Sequence, residues 1–383
     1  MTRPLTVVQL LPALDAGGVE QGTLDLGRYL VQHGHRSVVI AAGGRMAERL
    51  VQDGSEHLDW PIGAKRLSTL RYIPKLRNLL RSQRPDILHL RSRLPAWIGY
   101  LAWCGLDPAT RPHLITTVHG PYTPNRYSAI MVRGERVIAV SSMISDYILE
   151  HYAGRVNPQH IRIIHRGVDP ARHAYNYQPS TSWQQDWWDQ YPQTRNTWLL
   201  TLPARLTRWK GQEDFIQIIQ ALRQQGLPVH GLLVGEAHHR KQAYAEELRQ
   251  HIMHAGLQNH ITLTGHRTDL REILAISHCV FSLSYQPEAF GRTTLEALSL
   301  GRPVIGYNHG GVGEQLACLF PQGCIPVRDR AAAVELIQSW GSTPPRPRDE
   351  HPFTLEAMCE QTLAVYAEVS LKPFAGNDPD GGG

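Results

Sequence analysis

The sequence has no cysteines at metal or redox spacing. Its five cysteines, Cys104, Cys279, Cys318, Cys324 and Cys359, are odd in number and scattered, with no C-x-x-C. That excludes a zinc ribbon or a thioredoxin-type motif and argues against a disulfide framework. A reducing cytosol fits this usage, so a cytoplasmic location is expected. There is no run of about eighteen apolar residues, so no transmembrane helix is expected. The apolar stretch 5–11 is short and is followed by Asp15 and a glycine pair, which is not the pattern of a cleaved signal peptide. The twenty histidines, His238 and His239 included, lack metal-ligand spacing, so no metal site is expected. G-x-G-x-x-G is also missing near the N-terminus, which weakens a nicotinamide-binding reading.

What is there is an ordinary globular mix, 42% hydrophobic and 19% charged, over 383 residues. That length exceeds what one core usually covers, so two domains are expected. The formal net charge of +5 implies an anionic partner: a nucleotide, an anionic lipid or a nucleic acid.

Apolar runs of strand length alternate with helical patterns, first over residues 5–164 and again over 197–307. Such alternation means parallel sheets covered on both faces, hence an α/β fold of two Rossmann-like domains. The first is expected over 1–170 and the second over 197–350. Residues 171–196, rich in Gln, Trp, Tyr and Asp, read as the connection between them. A last helix is expected over 351–370 and a disordered tail over 371–383. In such sheets ligands bind at the carboxyl ends of the strands, so two domains facing a cleft would hold a donor and an acceptor.

The sharpest motif is SYQPEAFGRTTLEALSLG, residues 284–301. Glu288 ends a loop after a strand, and Ala289, Phe290, Gly291, Arg292 and Thr293 lead into a helix that contains Glu296. Unpaired amides and the macrodipole at a helix start make a phosphate seat, and Gly291 admits a ligand close to the backbone. Two carboxylates flanking that seat suit hydroxyl groups on either side of a diphosphate. A capped helix with two solvated acids is the plain alternative. In Ala204–Gly211, Arg205 and Lys210 are cations in a strand-to-helix loop that can reach a diphosphate; two surface cations are the alternative. Gly17 and Gly18 permit a tight turn and a close approach of a donor to the amides of another helix start; an ordinary strand-to-helix turn is the alternative. Residues 308–314, NHGGVGE, read as a glycine loop that approaches a ligand, with Glu314 at a helix start. His119, at a strand end, reads as a hydroxyl ligand or a proton carrier, or simply as a satisfied loop histidine.

Together these residues resemble glycosyltransferase family 4, the retaining enzymes of GT-B architecture. The resemblance rests on GGVE, His-Gly, R-L-x-x-x-K-G, E-x(7)-E and a late GG-x-x-E, in that order over almost the whole chain. It implies a nucleotide diphosphate-sugar as donor substrate, with uridine as the default base, and no bound cofactor or metal. It implies that Gly18 approaches the diphosphate or sugar, that Arg205 and Lys210 neutralise the diphosphate, and that Glu288 holds sugar hydroxyls. Phe290, Gly291, Arg292 and Thr293 would line the pocket through backbone amides, and Glu296 would bond the ribose. Gly265, His266 and Arg267 would contact the base, and His119 would sit beside the sugar. Two departures are mild: Gly313 rather than proline precedes Glu314, and Pro203-Ala204 replaces the common Gly-Arg. The last helix is expected to cross back to the first domain.

The acceptor side is less legible. Residues 62–85 carry Lys65, Arg66, Arg71, Lys75, Arg77, Arg81 and Arg84 with no acid, interleaved with Leu67, Leu70, Ile73, Leu76, Leu79 and Leu80. This basic amphipathic segment suits an anionic membrane face or a phosphorylated lipid acceptor; a surface helix packed on its own sheet is the alternative. The chain resembles the branch of the family that builds lipopolysaccharide core or other envelope glycans, so a glycan or lipid-linked acceptor is expected. Two other functions compete. A nucleotide-sugar epimerase would share the seat but release free sugar. A nucleic-acid-binding protein would fit the charge, but no binding module or exposed aromatic interleaving supports it.

Overall fold

The computed structural model describes residues 3–15, 17–237 and 242–371. The chain divides into two compact units: Met1–Arg166 with Leu355–Gly383, and Gly167–Thr354.

Unit 1 contains strands β1 (Thr6–Ala13), β2 (Arg36–Ala42), β3 (Glu56–Asp59), β4 (Ile87–Leu90), β5 (His113–Val118), β6 (Arg136–Ala139) and β7 (Ile161–Ile163). Its helices are α1 (Gly18–Gln32), α2 (Ala47–Gln52), α3 (Tyr72–Gln83), α4 (Arg93–Cys104) and α5 (Ser142–Tyr152). All seven strands pair in parallel, in the order β3-β2-β1-β4-β5-β6-β7. Burial on both faces explains their near-continuous apolar runs, such as Ile87–Leu90, which is buried throughout. The edge strand β3 has no counterpart in the sequence reading, because EHLD is short and has one apolar residue, as suits an exposed edge.

Unit 2 runs α6 (Thr181–Gln190), β8 (Trp198–Pro203), α7 (Gln212–Gln224), β9 (Val229–Val234), α8 (Gln242–His254), β10 (Ile261–Gly265), α9 (Leu270–Ile276), β11 (Cys279–Ser282), α10 (Arg292–Ser299), β12 (Val304–Tyr307), α11 (Gly310–Leu319), β13 (Cys324–Ile325) and α12 (Arg330–Trp340). Its six strands are parallel in the order β10-β9-β8-β11-β12-β13. The two orders are the same winding, so each sheet reverses direction beside its first strand. Ligand crevices form at such reversals, outside the carboxyl ends of the strands.

The last helix, α13 (Leu355–Ser370), returns to unit 1 as expected. Met358, Cys359, Val365, Tyr366 and Val369 join Val7, Leu26, Ile87, Ile115 and Ile138 in one core. Glu368 accepts from Arg136 at 2.7 Å and Arg162 at 2.8 Å, which fixes the far end of the helix.

Segment 171–196, read above as a connection, carries α6 and packs inside unit 2. Ser180 caps the helix by accepting from Trp183 N, and Trp187 is buried against Leu199, Leu232, Val234 and Ile273. Its signal is a tryptophan pair four residues apart, Trp183 and Trp187, stacked at 5.4 Å. The glycine-rich stretch read as a loop after Asn308 is helical as α11, so Glu314 lies inside a helix rather than at its start. Residues 372–383 of the tail, with His238, His239 and Arg240, lie outside the described residues.

Candidate functional site

The loop from β8 to α7 begins unit 2's site. Gln212, at the start of α7, donates from Nε2 to the Arg205 carbonyl at 3.0 Å and so fixes the loop's path. Arg205 is exposed, and its guanidinium meets no partner among the described residues. Arg208 turns away: it pairs with Glu247 of α8 at 2.5 Å and covers the Tyr244 ring. Lys210 turns inward. Its Nζ lies 4.3 Å from the Trp209 ring centroid and 2.7 Å from Glu288 Oε1. Both side chains are largely buried, 13% and 22% exposed, where a charge-assisted bond is strong.

Glu288 is held from several sides. Ser284 Oγ donates to the same Oε1 at 2.6 Å. Gly311 N donates to the Glu288 carbonyl at 2.9 Å. His309 Nε2 lies 2.7 Å from the Ser284 carbonyl and donates to it. With Oε1 engaged by Lys210 and Ser284, Oε2 is the oxygen left to accept from a ligand.

Two helix starts meet beside this carboxylate. Gly291 caps α10 at φ +85, a left-handed conformation that favours glycine. A Cβ there would stand 2.6 Å from Val312 Cγ2. On α11, a Cβ at Gly311 would stand 2.4 Å from Phe290 Cα. The glycines of this stretch therefore let α11 press against the Glu288–Phe290 backbone. The sequence reading had them approach a ligand; the backbone they admit is the protein's own. Gln315 Nε2 completes the join by donating to the Phe290 carbonyl at 2.5 Å. The Phe290 side chain goes into the core beside Phe353, so the residue offers only its backbone outward. Arg292 stands 3.6 Å from Glu296, and Thr293 is partly exposed. Burial raises the Glu296 pKa above the ordinary carboxylate value, opposed by Arg292 and Arg172.

The remaining expected base contacts separate. Gly265, at φ +71, accepts from Gly235 N at 2.9 Å, and His266 is exposed. Arg267 donates two hydrogen bonds to the Asp269 carboxylate, at 2.8 and 2.6 Å, and lies over Trp187. Its guanidinium therefore helps to dock α6.

In unit 1, Gly17 precedes α1 in extended backbone, Gly18 is the first residue of the helix, and no side chain caps it. His119 follows β5. Arg166 NH2 donates to its Nδ1 at 2.6 Å. Burial, then Arg166, Arg91 and His89, hold its pKa well below the usual histidine value. The sequence carried no sign of Arg166, which lies 47 positions away. Ser284 was visible in the motif, four positions before Glu288, but was not singled out.

The basic segment 62–85 is divided in use. Ile62, Tyr72, Leu76 and Leu80 are buried, Arg77 donates to the Leu101 carbonyl at 3.2 Å, and Lys75 covers Trp60. Leu67 and Leu70 are 88% and 53% exposed beside exposed Lys65, Arg66 and Arg71. Among the described residues no helix is long and apolar enough to cross a membrane.

Comparison with known families decides the class. Residues 16–172 match the sequence model of Glycosyltransferase Family 4, and residues 185–351 match that of Glycosyl transferases group 1. Each half of the chain thus matches a glycosyltransferase family, and the protein is a glycosyltransferase. This glycosyltransferase is similar to solved structures over nearly its full length. A glycosyltransferase from Rickettsia africae ESF-5 shares 25% identity at a TM-score of 0.83, covering 97% of this chain and 100% of that one. Anabaena HepE, crystallised with UDP-glucose, shares 20% identity at 0.77, covering 95% and 100%. WaaG, a glycosyltransferase involved in lipopolysaccharide biosynthesis, shares 16% at 0.62, covering 97% and 100%. These likenesses carry the two-domain GT-B fold. No curated protein matches the sequence itself.

Proposed function

We propose that this glycosyltransferase moves a sugar from a UDP-sugar to a hydroxyl of a glycan or glycolipid acceptor, with retention of anomeric configuration and without a bound metal. The observation that carries the reading is the Lys210–Glu288 pair beside the start of α10. Lys210, Arg205 and the unpaired amides at Gly291–Thr293 supply positive potential for a diphosphate. Glu288 Oε2 accepts from the sugar, and Glu296 accepts from the ribose. Stabilising charge as it develops on the leaving diphosphate is the main catalytic work such a site can do. Glu288 is read as a holder of the sugar rather than a nucleophile, because Lys210 and Ser284 already occupy one of its oxygens. HepE, crystallised with UDP-glucose, supports uridine as the base.

The acceptor is proposed to belong to lipopolysaccharide core or a related envelope glycan, supported by the likeness to WaaG. Exposed Leu67 and Leu70 among cations support a peripheral seat on an anionic cytoplasmic membrane face, where each basic residue near the surface contributes about 1 kcal/mol. Equal flotation with neutral and anionic vesicles would remove that part.

A thermal-shift panel of nucleoside diphosphates and their sugars tests the donor, since a ligand of the folded form raises its apparent stability. One uridine diphosphate-sugar is expected to raise the midpoint. NMR of the product from an accepted acceptor then reads the anomeric configuration, with and without a chelator. Free sugar released without any acceptor would favour an epimerase instead.

A further inference from the structure

His119 has a defined hydrogen-bond polarity. A guanidinium carries donors only and stays charged, so the 2.6 Å contact has Arg166 NH2 donating and Nδ1 accepting. In a neutral imidazole the proton then resides on Nε2. That nitrogen is buried and meets no hydrogen-bond partner among the described residues. Buried donors are normally paired, so a donor left over in this way points to a missing acceptor.

We propose that Arg166 is a positioning residue that holds His119 as a neutral Nε2–H donor, so that His119 donates to a hydroxyl or ring oxygen bound at this end of the unit 1 sheet and takes no proton from it. That such an oxygen belongs to a sugar rests on the glycosyltransferase reading; the state of the ring does not. The proposal decides between the two functional roles the sequence allowed, in favour of hydroxyl recognition over proton movement. A general base needs a free nitrogen lone pair, and the one lone pair here is engaged by Arg166.

The surroundings hold the arrangement in place. Arg166 follows β7 and reaches across to α1, where a Cβ at Gly22 would stand 2.2 Å from its NH1. Only glycine at that turn of the helix leaves the guanidinium its place. Arg91, buried at the end of β4, is 3.4 Å from the same point and donates to Gln9 Oε1 at 2.8 Å. His89 on β4 is occupied by Tyr366 OH at 2.6 Å and Thr117 Oγ1 at 2.7 Å. The titratable groups facing His119 are thus Arg166, Arg91 and His89, with Tyr122 bonded to its backbone. The two arginines and His89 disfavour an imidazolium, and burial does so most of all.

Two-bond proton–nitrogen correlation spectra of the full chain, labelled with 15N-histidine, read this state in the free protein. His119→Gln assigns the signals. Wild-type His119 is expected as a single Nε2–H tautomer, still neutral at about pH 6, where an ordinary histidine is more than half protonated. In Arg166→Met the ring is expected to populate both tautomers and to titrate at higher pH than in the wild type. A wild-type ring protonated on Nδ1, or charged at about pH 6, overturns the proposal even if Arg166→Met does not fold. A single Nε2–H tautomer that persists in folded Arg166→Met overturns it too. No donor is needed, so either result leaves the glycosyltransferase reading to its own binding test.

Discussion

The two units share one winding and differ in the chemistry at its turning point. In unit 1 the sheet reverses between β1 and β4, and the residue after β4 is the buried Arg91, which donates to Gln9 Oε1 at 2.8 Å. In unit 2 the reversal lies between β8 and β11, and the loop after β11 delivers Glu288 onto Lys210. One place in the fold thus carries a buried guanidinium in unit 1 and a carboxylate–ammonium pair in unit 2. The winding fixes where a ligand can approach, and the loop sequences fix what that ligand must be. A diphosphate-sugar, with anionic and hydroxyl parts, suits the mixed polarity of unit 2.

The comparison breaks most sharply at Lys210. Lys210→Ala is expected to lower kcat by about 10²–10³-fold, the usual cost of removing one preorganised electrostatic contact. Arg208→Ala, two residues away on the same loop, is expected to change kcat by about twofold or less, because its guanidinium serves Glu247 at the surface. Steady-state kinetics on both variants separates the catalytic cation from the structural one.

Backbone packing comes next. Gly311→Ala places a Cβ against Phe290 Cα and is expected to cost about 1–3 kcal/mol, as overpacking does, and to weaken donor binding. Gly120→Ala in unit 1, where a Cβ meets nothing within 4 Å, is expected to be close to neutral. Chemical denaturation compares them.

Glu296 gives an opposite-signed pair of effects. Its folded pKa is raised by burial, so the folded state favours the protonated form, and the ionised form costs stability at neutral pH. Glu296→Gln is therefore expected to raise the melting temperature of the free protein at neutral pH and to narrow that gain as pH falls through the ordinary carboxylate range. It is also expected to weaken uridine nucleotide binding. Melts with and without UDP, across pH, check both signs.

A small effect is expected at the end of α13 in unit 1. Glu368→Ala removes the partly exposed bonds to Arg136 and Arg162, for a loss of about 1 kcal/mol or less. Donor affinity is expected to stay unchanged. A fall in UDP affinity by titration would show that α13 does more than complete a core.

Much of this was legible in the residues. Apolar runs of period and length suited to buried strands placed eleven of the thirteen strands, because parallel strands hide both faces. The two that escaped are β3 and the two-residue β13. Both are edge strands, where one side needs no partner and the pattern fades. Helix α11 escaped for another reason: glycine has poor helix propensity, yet Gly310 and Gly311 start that helix because they let it close on Glu288 and Phe290. Of the site, Glu288 and Lys210 were visible as motif residues, but their direct pairing was not, since sequence shows residue types and not which atoms meet. Arg166 and Arg267 mark the limit most clearly. One is a cation at a site with no motif to announce it, and the other sits in an expected base-contact motif yet docks a helix.

The most direct measurement is calorimetric titration of UDP into the wild type, Lys210→Ala and Arg208→Ala. The account predicts measurable binding to the wild type and to Arg208→Ala, and binding to Lys210→Ala weaker by about tenfold or more, the size of a lost charge-assisted contact. Equal affinity for the wild type and Lys210→Ala, or no binding of UDP by a folded wild type, would contradict it.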